Sequence, residues 1–298
     1  MVALGGGHGL AITLKAVQTY ASQITAVVAV ADDGGSSGRL SAGLGIPPPG
    51  DIRRCLLALT PDVSLWSELF SYRFSGGDIE DHSLGNLLLA ALNDITGDFA
   101  AAVDAAGRIL KSVGRVVPAA TEAAELRAVV GEREIVGQAE ITRSQGIEAM
   151  SLGPEGVTAN PAALAAMAEA DQLILGPGSL YTSLMAVILV PGIAEAWQSS
   201  RAQRFFVLNL IDQEGETLGL TGADHLHALA AIGGVGGPGT VIANTGKLRT
   251  PPGHSALSLA PDDALAWGWD VVTADVACSQ AEWPEHSSDA LGQVLNRE

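Results

Sequence analysis

The chain has 298 residues, of which 47% are hydrophobic, and carries a formal net charge of −17. This length suits one large domain or two closely packed ones, and the charge argues against a nucleic-acid groove or an anionic membrane surface, since both require a basic face. The two cysteines, Cys55 and Cys278, form neither a disulfide framework nor a metal-binding spacing, which favours a cytoplasmic location. No apolar stretch reaches the length of a bilayer span and no signal peptide fits before residue 5, so we expect no membrane insertion.

The first informative feature is a glycine turn near the N-terminus. A short apolar strand at residues 2–4 runs into Gly-Gly-Gly-His-Gly at residues 5–9, and a helical pattern extends from residue 10 to 20. Glycines let a backbone approach an anion, and the unpaired N–H groups of a first helical turn point at it. This turn predicts a phosphate-binding element, with an ordinary tight turn as the alternative. It matches the G-x-G-x-x-G fingerprint imperfectly, so NAD is not specifically indicated.

A second glycine turn between a strand and a helix occurs in the second half of the chain. An apolar strand at residues 172–175 leads into Gly-Pro-Gly-Ser at 176–179, and a helix is predicted to start at Leu180. Two such turns predict one ligand with two negative groups, or two ligands.

Residues 24–30 form a continuous apolar run, which is typical of a strand buried on both faces of a parallel sheet. Asp32 follows it at about the distance where dinucleotide folds place the acid that binds ribose hydroxyls. A polar loop is predicted at residues 32–39. Asp32 and Asp33 could bind ribose or a magnesium ion, or could simply end the strand through Asx turns.

The remaining pattern alternates helices and strands around one interruption. Helices are predicted from residue 51, at 83–96, 100–110 and 222–232, and strands at 173–175, 205–210 and 241–243. Between about residues 115 and 158, strands at 125–130 and 134–141 are predicted to form a hairpin around Gly131 and Glu132. We therefore expect an α/β fold, a Rossmann-like doubly wound, mostly parallel sheet with this small antiparallel insertion, in a single domain covering residues 1–298.

Several polar groups lie where such folds place ligands. Ser36, Ser37 and Arg39 supply donors in a glycine-rich segment, which suits contact with an anion or a sugar, with a solvated loop as the alternative. Arg53 lies in a first helical turn, where a cation opposes the helix dipole, which indicates either a phosphate partner or a pairing with Asp51 or another acid. His254 and His286 are expected at the surface. No Ser-His-Asp or acid–base constellation can be identified from spacing, so no catalytic residue is assigned.

Several segments carry a family resemblance: LGGGHGL at 4–10, VADDGGSSGRL at 30–40, IPPPGDIR at 46–53, HSLGNLLLAA at 82–91 and LGPGSLYTSL at 175–184. They resemble the gluconeogenesis factor family, the YvcK-type branch of the CofD-like proteins. The resemblance implies a core that binds a nucleotide sugar of the UDP-N-acetylglucosamine type, with NAD-like dinucleotides also reported for the fold. It further implies control of cell shape and cell-wall precursor supply on gluconeogenic carbon, without established catalysis.

Two alternatives stay open beside this regulatory role. One is a 2-phospho-L-lactate transferase of the sister branch, which carries a basic residue soon after its first glycines, whereas here Gly9 is followed by Leu10, Ala11 and Ile12. The other is a nicotinamide-dependent oxidoreductase, for which the chain shows no evident hydride-transfer acid. The sequence also departs from the family at His8, where Thr is usual. Near the C-terminus relatives tend to carry an Arg-His pair, whereas this chain reads Pro-Glu-His-Ser at residues 284–287.

The predicted ligand is thus a small nucleotide, with magnesium at Asp32 and Asp33 and a homo-oligomer both possible. The residues predicted to contact the ligand are Gly5, Gly6, Gly7, His8, Gly9, Leu10, Asp32, Asp33, Gly34, Gly35, Ser36, Ser37, Arg39, Pro49, Gly50, Asp51, Arg53, His82, Ser83, Asn86, Gly176, Gly178, Ser179, Tyr181, Thr182, Asn209, Gln213, Glu216 and Thr217.

Overall fold

The computed structural model describes residues 1–31, 33–278 and 281–298. Its strands are β1 (Val2–Gly5), β2 (Thr25–Val28), β3 (Arg115–Pro118), β4 (Glu125–Val130), β5 (Arg133–Val136), β6 (Ala149–Gly153), β7 (Gln172–Leu175), β8 (Gln203–Val207), β9 (Gly239–Asn244) and β10 (Trp269–Ala274). Seven of them form one sheet in the order β10-β9-β8-β7-β1-β2-β3, and every neighbouring pair in it is parallel. The α/β doubly wound prediction is therefore confirmed.

The strand order reverses between β1 and β7. From β1 the chain adds β2 and β3 on one side, and it later returns through β7 on the other side of β1 before adding β8, β9 and β10. Open α/β sheets bind ligands at the carboxyl ends of the strands beside such a switch point. Both glycine turns follow the two strands at this point, which brings them together.

The helices cover both faces of the sheet. Their bounds are α1 (Gly7–Val17), α2 (Gly35–Leu44), α3 (Pro49–Ala58), α4 (Leu65–Ser71), α5 (Leu84–Thr96), α6 (Phe99–Leu110), α7 (Gln138–Ile141), α8 (Pro161–Glu169), α9 (Ala186–Ile188), α10 (Ile193–Ser199), α11 (Gly222–Ala231), α12 (Pro261–Leu265) and α13 (Ser288–Leu295), with a π-helical segment, Leu180–Met185, leading into α9.

Alternating strand residues supply two cores, one on each face. Ala3 and Ile174 pack in the core beneath α1, α3, α6 and α13, whereas Leu4 and Leu175 pack in the core beneath the segment from Leu180–Met185 to α11. This alternation explains the continuous apolar runs, because a strand covered on both faces has no solvent side.

A second sheet, in the order β5-β4-β6, is antiparallel and carries the predicted hairpin at Gly131, whose φ is +58°. Two boundaries differ from expectation. Arg115–Pro118 pairs with β2 in the main sheet, so the antiparallel unit starts at Glu125. The predicted strand at 134–141 ends at Val136, because Gly137 adopts φ +94° and Gln138–Ile141 turns into helix α7.

The polar loop predicted at residues 32–39 is also wrong from Gly35 onwards, where α2 begins. Its first turn is polar because Ser36 and Ser37 face a polar cavity described below. Gly38 is needed for this geometry, since a Cβ there would lie 1.9 Å from the Asp33 carbonyl oxygen.

Among the described residues, no single helix combines the length and hydrophobicity needed to cross a bilayer. Leu180–Ile188 and Ile193–Ser199 reach that composition only jointly, and they are bent by 77° relative to each other.

Candidate functional site

At the first glycine turn, one N–H group is already hydrogen-bonded within the protein. Helix α1 begins at Gly7, whose φ of +65° favours glycine. The Gly7 N–H donates to Asp51 Oδ2 at 2.6 Å, and the other Asp51 oxygen accepts from Arg54 Nη1 at 2.9 Å. Among the described residues, the N–H groups of His8 and Gly9 have no acceptor. These two donors are therefore available to an anion.

The two glycine turns touch each other. A Cβ on Gly9 would lie 2.3 Å from the Pro177 carbonyl oxygen, so only glycine permits this approach. Asn209, which follows β8, fixes the second turn: its Nδ2 donates to the Gly178 carbonyl at 2.9 Å and its Oδ1 accepts from the Gly178 N–H at 3.2 Å. Thr13 Oγ1 donates to the Gly176 carbonyl at 2.7 Å. The two glycine turns thus lie together at one edge of the sheet.

The helix start after the second turn is occupied by a side chain of the protein itself. The buried Glu216 carboxylate accepts from the N–H groups of Tyr181 and Thr182 at 3.1 and 3.4 Å and from the Thr182 hydroxyl. Burial raises the pKa of Glu216, and these hydrogen bonds oppose that rise. The expectation of a second free anion site at Tyr181 and Thr182 therefore needs correction, because a protein carboxylate already fills it.

A polar cavity of about 410 Å³ lies beside the first turn. The starts of α1, α2, α3 and α5 face it. We call it the arginine cavity, and its lining is Gly7, Gly34, Gly35, Ser36, Ser37, Gly50, Asp51, Arg53, Arg54, Arg73, Asn86, Gln138, Ser179 and Ser183.

Arg53 is the most unusual group in this cavity. It is only 8% exposed, and it donates to Asn86 Oδ1 at 3.0 Å and to the Phe70 carbonyl at 3.3 Å. It forms no ion pair with any residue that the structure describes. Burial, and then the charges of Arg54 and Arg73, lower the pKa of Arg53 to about 10. A buried cation repelled by its neighbours indicates an anionic ligand.

A chain of hydrogen bonds orients the donors around Arg53. Arg39 Nε donates to His82 Nε2 at 3.3 Å, so His82 Nδ1 carries the proton and donates to Ser36 Oγ at 3.0 Å. Asn86 Nδ2 donates to the same Ser36 oxygen at 3.2 Å. Because Ser36 Oγ accepts both bonds, its own proton is available to a ligand.

A second cavity of about 400 Å³ adjoins the first and shares Gly7, Ser179 and Ser183 with it. Trp283 is 56% exposed at its edge and lies edge-on to His254, with ring centroids 5.5 Å apart. We call it the aromatic cleft, and its lining is Gly6, Gly7, His8, Gly9, Ile12, Pro177, Gly178, Ser179, Ser183, Asn209, Leu210, Ile211, Asp212, Gln213, Glu214, His254, Trp283, Pro284, Glu285 and His286.

The expectation that His254 and His286 are surface residues is wrong. His286 is 7% exposed, its Nε2 lies 3.2 Å from the Leu208 carbonyl, and burial lowers its pKa to about 4. Its neutral ring therefore donates from Nε2 and keeps Nδ1 as an acceptor. An isolated antiparallel bridge pairs Ala277 with His286, and Trp283 and His286 both line the cleft.

The neutral His286 predicts a pH dependence of stability. Its pKa is lower in the folded chain, about 4 against 6.5, so the unfolded chain binds more protons between these values and stability falls as the pH drops through this window. Glu216 acts in the opposite sense, since its pKa is raised. A His286→Gln variant keeps a donor for the Leu208 carbonyl. Between pH 6.5 and 4, its free energy of unfolding should therefore fall by about 3 kcal/mol less than that of the wild type. Urea unfolding at both pH values measures this difference, and parallel losses would contradict it.

Other residues predicted to contact the ligand make contacts within the protein that support the fold. The Leu10 side chain is in the core, Pro49 is buried at the first position of α3, and the Thr217 hydroxyl accepts from the Gln213 N–H at 2.9 Å. Ser83 Oγ caps α5 by accepting from the Asn86 N–H at 3.1 Å.

The acidic pair and His8 also differ from expectation. Asp33 Oδ1 accepts from the Ala139 N–H at 2.9 Å and so caps α7, while Asp32 lies outside the described residues. The described part of the chain has no group of three or more His, Cys, Asp or Glu side chains arranged to hold a metal ion. The exposed His8 ring contacts Glu285 at 3.3 Å.

Comparisons with known proteins agree with this architecture. Residues 1–260 match the family described as 2-phospho-L-lactate transferase CofD. A crystal structure of a UPF0052 family protein from Bacillus halodurans superposes with a TM-score of 0.94 at 34% identity, covering 98% of both chains.

Curated relatives narrow the assignment. The "Gluconeogenesis factor" of Bacillus subtilis is 44% identical over 244 residues, which is 81% of this chain and 77% of that protein. The "Putative gluconeogenesis factor" of a Nostoc species is 48% identical over 237 residues, which is 78% of this chain. The chain spans about half of that relative's length, 52%. On the parallel sheet with its paired glycine turns and on these matches, the chain belongs to the gluconeogenesis factor branch of the CofD family.

Proposed function

We propose that this protein binds a nucleotide sugar of the UDP-N-acetylglucosamine type and acts as a regulator without turnover. The observation that carries the proposal is Arg53, a buried cation without a carboxylate partner among the described residues, beside Arg54 and Arg73. In a chain with a net charge of −17, a cavity lined by three arginines is best explained by an anionic ligand.

The two cavities suit the two parts of such a ligand. The aromatic cleft offers Trp283 as a stacking surface for a base, together with apolar contacts from Leu210 and Ile211. The diphosphate would lie at the junction, where it accepts from the N–H groups of His8 and Gly9, and would extend to Arg53 in the arginine cavity. A dinucleotide such as NAD is the alternative ligand of this shape.

The cellular role proposed is control of cell shape and of cell-wall precursor supply during gluconeogenic growth. The names of the relatives support a link to gluconeogenesis. A cytoplasmic location is part of the proposal, since a nucleotide sugar is a cytoplasmic metabolite, and the free thiols of Cys55 and Cys278 fit a reducing compartment.

A transferase of the CofD kind is the second candidate, favoured by the family match over residues 1–260. Ser36 and His82 would be its obvious nucleophile and base. However, His82 Nδ1 donates to Ser36 Oγ because Arg39 occupies Nε2, so this histidine is not oriented to remove the serine proton. The geometry therefore favours binding over this form of catalysis.

A thermal-shift series with UDP-N-acetylglucosamine, UDP, GDP, NAD and GDP with a deazaflavin tests the proposal. A ligand that binds only the native state raises the melting temperature, and at 100 times its Kd it adds about 2.7 kcal/mol of stability. We expect the largest shift with the UDP sugar. A larger shift with GDP and deazaflavin together would support the transferase instead.

A further inference from the structure

One residue of the arginine cavity belongs to the antiparallel insertion. Gln138 opens helix α7, and this helix is held at both ends. Asp33 accepts from the Ala139 N–H at 2.9 Å, and the Thr142 hydroxyl lies 3.4 Å from Glu216 Oε1. Helix α7 thus contacts the segment after β2 and the Glu216 carboxylate at the second helix start, and Gln138 lies at the edge of the cavity.

The amide oxygen of Gln138 is buried and accepts no hydrogen bond from the described residues. A buried acceptor without a donor is unfavourable, so a partner from the ligand would be gained at little cost. Because Gln138 lines the arginine cavity, a ligand group bound there can supply this donor.

The other side chains of the cavity define which ligand group can be that partner. The donors are Arg53, Arg54, Arg73 and the Ser36 hydroxyl, which match the oxygens of a phosphate. The Asp51 carboxylate in the same lining already accepts from the Gly7 N–H and from Arg54. A fully ionised phosphate cannot donate to Gln138. The partner must therefore be a donor attached next to the anionic group, such as a sugar hydroxyl or an acetamido N–H.

We propose that Gln138 is a specificity-determining residue. It accepts a hydrogen bond from the sugar and so makes the protein bind the nucleotide sugar more tightly than the nucleoside diphosphate alone. This inference rests on the proposed function. A sugar at Gln138 also defines the orientation of the ligand. The base lies at Trp283 in the aromatic cleft, and the sugar lies beyond the arginines, against the insertion.

Isothermal titration calorimetry with UDP and UDP-N-acetylglucosamine tests the inference. Gln138→Leu should weaken UDP-N-acetylglucosamine binding by about 10-fold, the effect of one neutral hydrogen bond, and leave UDP binding unchanged within about twofold. Gln145→Leu is the matched control, because Gln145 is an exposed glutamine of the same insertion that lines a different cavity, and it should affect neither ligand.

Gln138→Glu keeps the acceptor and removes the amide donor. It should weaken both ligands through repulsion of their phosphates while keeping the wild-type ratio of the two affinities. Equal weakening of UDP and the UDP sugar in Gln138→Leu, or no change in either, would overturn the inference but not the proposed function. If the wild type binds neither nucleotide, both fail.

Discussion

An Arg53→Met variant should bind UDP-N-acetylglucosamine about 100-fold more weakly than the wild type. Arg53 is buried at the wall of the arginine cavity. Hydrogen bonds from its guanidinium to Asn86 and to the Phe70 carbonyl fix its orientation. Charge-assisted hydrogen bonds to phosphate contribute about 1.5–3 kcal/mol each, so loss of this cation accounts for up to two orders of magnitude.

The same substitution should change the free energy of unfolding of the ligand-free protein by no more than about 2 kcal/mol, because the hydrogen bonds lost at Asn86 and at the Phe70 carbonyl oppose the relief of a buried charge. Arg53 without ligand is a buried charge with no carboxylate partner among the described residues, and its removal relieves repulsion from Arg54 and Arg73. Titration calorimetry and thermal unfolding of the same samples separate the two effects. Arg201→Met is the control, since Arg201 is exposed and precedes β8 at the opposite edge of the sheet. Equal affinities for Arg53→Met and Arg201→Met would refute an anion at this cavity.

A Gly9→Ala variant should lower the free energy of unfolding by about 2–3 kcal/mol. The added methyl group would lie 2.3 Å from the Pro177 carbonyl oxygen and 2.7 Å from its carbon, both backbone atoms that cannot rotate away. The two glycine turns would be forced apart, and ligand binding should weaken with them. This loss exceeds the gain of about 1 kcal/mol that alanine normally brings to a helix.

Gly43→Ala provides the matched control for Gly9→Ala. Gly43 also lies in a helix, α2, and a Cβ there would have no heavy atom within 4 Å. This variant should be neutral or more stable by up to about 1 kcal/mol. Urea denaturation of both variants decides the matter, and a Gly9→Ala variant as stable as Gly43→Ala would show that the turns are not in close contact.

The parallel sheet and the position of both glycine turns at one of its edges can be predicted from the sequence alone. A continuous apolar run at residues 24–30 predicts a doubly covered strand, and β2 is one. Each glycine turn follows a strand, and parallel strands carry such turns at the same edge. These features are readable because apolar periodicity and the torsional freedom of glycine are local properties of the chain.

Which side chains reach the crevice depends on contacts that form only in the folded chain. Glu216 was predicted to line the crevice but instead fills the second helix start. His286 was predicted at the surface but is buried and bonded to the Leu208 carbonyl. Asp33 was predicted to bind ribose or metal but caps α7 of the insertion. Each outcome depends on a contact between segments far apart in sequence, where burial and competing hydrogen bonds, not residue type, assign the partner.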